Sequence, residues 1–148
     1  MTIANVTENA ILELVYRATT WAGYAQNITT TAQTNVGFSL HTADPSDTGT
    51  ATASEVTYTG YVRVNVSRSS AGFSAVVTDS PGIQTVSAVT FTAGTAGTGI
   101  VSFFATAGSN ATPPTGAQSI LWSGAVSPVI NTGSGVTPQL SPVNIQLD

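Results

Sequence analysis

Apolar positions follow a helical period near the start of this chain and a strand period over most of the rest. Ile11, Leu14, Val15, Ala18, Trp21 and Ala22 recur three and four apart, which places them on one face of a helix. Thr7 followed by Glu8 offers a cap and a first-turn acid, and Gly23 offers a stop, so the spacing predicts a helix over 7–23. Glu13 and Arg17 lie four apart and fit a weak ion pair on another face. The apolar stripe is read as core packing in preference to a partner-binding face.

Beyond a polar segment at 26–35, the period falls to two. Val36, Phe38 and Leu40 alternate with Gly37, Ser39 and His41, predicting a central strand. Asp44-Pro45-Ser46-Asp47 is turn chemistry, and the small polar residues after it predict an exposed loop across 42–57. A second strand is predicted over 61–67, with Val62, Val64 and Val66 toward the core and Tyr61, Arg63, Asn65 and Ser67 opposite. Further breaks fall at 68–72 and at Asp79-Ser80-Pro81-Gly82.

Ile83 to Phe91 reads as one strand, and Ile100 to Ala105 as a strand buried on both faces. Pro113 and Pro114 stiffen a loop, and two short strands, 119–122 and 125–130, flank a bend or bulge at Gly124. Leu140, Val143, Ile145 and Leu147 supply the last apolar contacts. Short strands with turn signals about every ten residues predict a mainly β fold, an antiparallel β-sandwich or small barrel with one N-terminal α-helix. The expected organisation is a single domain over 1–148, with a β-rich body at 36–147.

Charge narrows the choice of partner. Of 148 residues only 7% are charged, against about 25% in ordinary soluble domains. Arg17, Arg63 and Arg68 are the only lysine or arginine residues, and the net charge is −4. Nucleic acid is therefore not an expected partner, since its phosphates are met mainly by Lys and Arg. No apolar run approaches the roughly 20 residues that span a bilayer, so no membrane is expected either. A mean hydropathy of +0.21 with so few charges suits a component of an assembly, because charged residues are depleted at interface cores. The absence of cysteine excludes disulfides and thiolate chemistry. The opening MTIANVTENAIL lacks the basic region of a secretory signal, and the four Asn-x-Ser/Thr sequons, at Asn5, Asn27, Asn65 and Asn110, are expected from a Ser/Thr-rich composition.

Candidate chemistry is sparse. His41 is the only histidine, and a serine hydrolase would need it as base with Asp44 or Asp47 to orient it, yet no Gly-x-Ser-x-Gly elbow accompanies it. It is read as a hydrogen-bonding surface residue at a strand end. His41, Asp44 and Asp47 could approach a cation, but the regular acidic spacing of a calcium loop is missing. Glu8, Glu13, Glu55, Asp79 and Asp148 sit in turns, at termini or on the helix, not in an apolar mid-strand setting that raises a carboxyl pKa. The glycine-rich 93–99 precedes no helix and carries no lysine, unlike a phosphate loop. Tyr58 and Tyr61 beside a turn are read as rim packing. No catalytic, cofactor-binding or metal-binding residue is assigned, and no enzymatic activity is expected.

One block is distinctive as a string. Leu40 to Gly49 (LHTADPSDTG) and Glu55 to Gly72 (EVTYTGYVRVNVSRSSAG) resemble a pattern of small virion structural proteins of tailed bacteriophages, variously labelled head decoration or tail fibre proteins. Phe73 stands where that pattern commonly has tryptophan, and Ser46 where it commonly has glycine. The later SILWSGAVSPVINTGSGVTPQL, 119–140, is similar to the closing hairpin of the same family. The resemblance implies a virion protein with no catalytic residues. The leading expectation is a capsid decoration (cement) protein on the outer surface of the head, a symmetric homo-oligomer bound to the major capsid protein. The alternative is a tail-fibre protein that binds a receptor or glycan through loops such as 42–57.

Overall fold

A computed structural model of the chain describes residues 4–24, 32–46, 49–76 and 82–147. Asp47, Asp79, Asp148 and most of the turn at 79–82 lie outside the described residues. Among the described residues one helix, α1 (Asn5–Arg17), precedes eight strands: β1 (Asn35–His41), β2 (Val64–Ser67), β3 (Gly82–Gln84), β4 (Val89–Thr90), β5 (Gly99–Ser109), β6 (Trp122–Thr132), β7 (Gln139–Leu140) and β8 (Asn144–Gln146). The main sheet has the order β2-β1-β5-β6, and β3 pairs with β8 and β4 with β7. Every pairing is antiparallel. The sheets are open and face one another across an apolar core, so the fold is sandwich-like and the barrel alternative falls away.

The helix ends six residues before Gly23. Ala18 adopts left-handed backbone at φ 56°, and its N–H returns to Glu13 O. Arg17 and Thr19 side chains both donate to the Glu13 carboxylate, closing the last turn before β-branched Thr19 and Thr20. Gly23, at φ 82°, serves the next turn instead. The N-cap is Ala4, with no side-chain cap, and Thr7 lies inside the first turn. Buried Glu8, Leu12 and Tyr16 form an i, i+4, i+8 row, so the inner face is rotated from the predicted stripe. Ile11, Leu14 and Val15 are only half-buried along its margin. Arg68 donates to Leu14 O, Val15 O and Gln33 O, satisfying terminal carbonyls of the helix and complementing its negative end.

The core joins Tyr16 and Leu12 of α1 to Val36, Phe38 and Leu40 of β1, Phe73, Phe91, Val101 and Phe104. Tyr16 and Phe73 rings lie 5.3 Å apart. β1 is central, as alternation predicts, but its polar face is covered too. Gly37 passes beneath Pro114, where a Cβ would stand 2.8 Å from Pro114 Cγ. Gly37 is therefore needed for the 110–118 loop to close over the sheet.

Several other expectations need correction. The strand predicted over 61–67 begins at Val64, with Val62 42% exposed and Arg63 7% exposed. Its arginine, not its first valine, is the buried residue, because the guanidinium finds a full set of acceptors. Val64 and Val66 are half-buried against the core. The segment 83–91 breaks into β3 and β4 around exposed Val86, each pairing with a different C-terminal strand. β5 runs on to Ser109, and its Ile100 is 55% exposed. β6 is one strand, and its irregularity lies beyond Gly124. Val101 pairs with Ile130 but Phe103 with Ala125, so 126–129 bulge opposite Ser102.

Candidate functional site

The stretch that carries the family-like pattern folds into a clamped loop. His41 pairs with Glu55 in an isolated bridge, and Val56 N donates to Leu40 O at 3.0 Å, so the connection returns to the end of β1. Ala51, Val56 and Pro45 are buried. Among its described residues the loop predicted to be exposed across 42–57 is exposed at 42–44, 46, 52, 54 and 57 and pinned to the body by these three buried ones. Asp44 Oδ1 accepts the Ser46 N–H at 2.9 Å, as turn chemistry predicts.

Arg63 holds this loop from beneath. Its Nε and Nη2 donate to Glu55 Oε1 and Oε2, each at 2.7 Å, in a bidentate pair. Nη2 also donates to Ala51 O at 2.9 Å, and Nη1 to Gly116 O at 2.8 Å. Two loops, 50–56 and 110–118, are thus tied to one guanidinium, whose planar fork suits carboxylate and carbonyl acceptors together. The Glu55 hydrogen bonds push the Arg63 pKa further up, against the opposing effect of burial. Tyr61 OH donates to Glu55 Oε1 at 2.8 Å and accepts the Leu40 N–H at 3.0 Å. Burial, with Glu55 beside it, holds the Tyr61 hydroxyl protonated far above its ordinary range.

His41 is fully buried, contrary to the surface position predicted. Its Nδ1 lies 2.7 Å from Ala53 O and its Nε2 2.8 Å from Ser39 Oγ. A carbonyl only accepts, so Nδ1 carries the proton in the neutral ring and Nε2 accepts from the hydroxyl. Burial lowers the His41 pKa, and nearby Arg63 adds to this, while Ala53 O and Glu55 oppose it. Ser39 and His41 have the spacing of a nucleophile and its base, but at 2% and 0% exposure no substrate reaches them. The acid position of a triad is taken by the Ala53 carbonyl.

The remaining candidates are dispersed. Glu8 is buried on α1, and Glu13 pairs with Arg17. Tyr58 is buried with its hydroxyl on Thr92 O, so neither tyrosine is a rim aromatic. Among the described residues no group of three His, Cys, Asp or Glu is placed to hold a metal ion. None of the described helices is long and apolar enough to cross a membrane. All three arginines are engaged inside the chain. Arg63 and its carbonyl partners were missed because the valine alternation around Arg63 masked them; the acid at 55 and the arginine at 63 were the available signal.

On the opposite flank a groove of about 380 Å³ runs between β6 and the β7–β8 segment. Phe104 and Trp122 form part of its lining, with rings 5.2 Å apart. Among the described residues no ionisable side chain lines it.

A small β-rich module whose arginines are spent on internal ties is what a structural component needs. The family described as podophage GP4 fiber I protein gp80 matches residues 2–148. The chain belongs to that family, and it is a bacteriophage structural protein of the virion. No curated protein matches it.

Proposed function

We propose that the chain is a fibre component of the phage tail, held in the virion by protein–protein contact with its neighbours and with copies of itself. The observation that carries this reading is the match of residues 2–148 to a fibre family. It supports the tail-fibre alternative over the head-coat expectation, and the outer capsid surface is not the location proposed. The internal engagement of all three arginines favours protein neighbours over nucleic acid or anionic membrane, which require free cations. The sealed Ser39–His41 pair favours a role without catalysis.

Labelling purified virions with an antibody to this chain, viewed by electron microscopy, tests the assignment. Label confined to the tail at low copy number is expected. Dense label over the head would replace the fibre reading with the decoration reading.

A further inference from the structure

We propose that the groove between β6 and the β7–β8 segment is a binding site for a neutral saccharide. The groove exists because β6 bulges at 126–129, opposite Ser102, and bulges commonly re-aim side chains beside binding sites. Its lining combines two chemistries. Trp122 and Phe104 contribute aromatic surface, and exposed Gln139 and Asn144 and Ser127 and Ser141 contribute amides and hydroxyls. Trp122 lies against the strand backbone at Gly124, where any Cβ would stand 2.8 Å from Cη2. Glycine at 124 is what lets the indole lie there.

The lining selects the ligand class by elimination. An anion or cation would find no countercharge among the described residues, none of whose ionisable side chains borders the groove. A wholly apolar ligand would take the exposed amides and hydroxyls from water without offering them partners, which is costly, Gln139 keeping only its Nε2 bond to Thr90 Oγ1. An added peptide strand is opposed by the bulge and by Pro128, which has no N–H to donate. A sugar ring presents C–H faces to an aromatic surface and hydroxyls to amides, and it carries no charge. This site does not depend on where in the virion the chain sits.

The test uses the full chain carrying Trp21→Phe, which leaves Trp122 as the sole indole reporter. It is titrated with neutral oligosaccharides of glucose, galactose, mannose, rhamnose and N-acetylglucosamine, and with polygalacturonate as the anionic contrast. At least one neutral probe is expected to shift Trp122 emission saturably, with no response to polygalacturonate. Asn144→Ala and Gln139→Ala should each weaken that binding by about fivefold, the loss of one hydrogen bond. Both substitutions are on exposed positions, so folding, checked by circular dichroism, is retained. No saturable response to any neutral probe overturns the site, as does affinity unchanged in both variants or a preference for polygalacturonate. A chain that binds no sugar yet labels the tail loses this site and keeps its fibre role.

Discussion

The two flanks of the main sheet treat polar groups in opposite ways. Beside β1 and β2, Arg63, Glu55, Tyr61, His41 and Ser39 satisfy one another and the carbonyls of two loops. Beside β6, the amides and hydroxyls border an open groove with no ionisable side chain among its described lining residues. One flank spends its hydrogen-bonding capacity on holding the fold. The other leaves capacity open to the outside, so the proposed saccharide site lies away from the most distinctive sequence block.

The largest effect should come from removing one member of the clamp. Arg63→Ala leaves Glu55 largely buried without its partner and should destabilise by about 3–5 kcal/mol in denaturant unfolding. Replacing Arg63 and Glu55 together with Met and Leu should recover much of that loss. A loss below about 1 kcal/mol for the single variant would mean the clamp is a surface pair, worth little.

Acid should act next, through His41. Its pKa is lowered in the fold, so the unfolded chain binds the proton more tightly and stability rises with pH across that window. This contribution is fully present above the unfolded value of about 6.5 and is lost as pH falls below it. The melting temperature should therefore drop between pH 7 and pH 5, and His41→Gln should flatten the drop whatever its effect at pH 7. His41 is the only histidine, so an unchanged slope in that variant would assign the effect elsewhere.

The smallest effect belongs to the outer surface of β5 and β6. Ile100 and Val129 are 55% and 49% exposed, and Ile100→Thr or Val129→Thr should change unfolding free energy by no more than about 0.5 kcal/mol. A larger loss in the isolated chain would show that this surface is already covered, by a second copy.

Strands read well from the sequence where one residue type decided the face. β1 was visible because Val36, Phe38 and Leu40 sit where the alternation puts them, and β5 because Val101 lies in a short apolar run, and all four are fully buried. The reading failed where a long-range partner overrode local period. Val62 looks like core beside Val64 and Val66, but Arg63 is drawn inward by Glu55 and the carbonyls of Ala51 and Gly116, the last of them 53 positions away. His41 looks like a strand-end surface residue until the 50–56 segment folds over it. Gly124 signalled an irregularity, yet it accommodates Trp122 while the bulge itself sits at 126–129. Of the groove, only the bend at Gly124 was legible, and its aromatic residues were read as strand positions. Its other wall was not, because β7 and β8 reach it only through pairings with β3 and β4.

Amide hydrogen exchange of the native chain measures the clamp most directly. Ala51 N donates to Gln118 O and Val56 N to Leu40 O, so both amides should be protected nearly as strongly as those of β1, and Arg63→Ala should abolish the protection at Ala51 first. Exchange at 51–56 as fast as at exposed Ala43 would contradict the clamp and return the loop to the surface as a free recognition element.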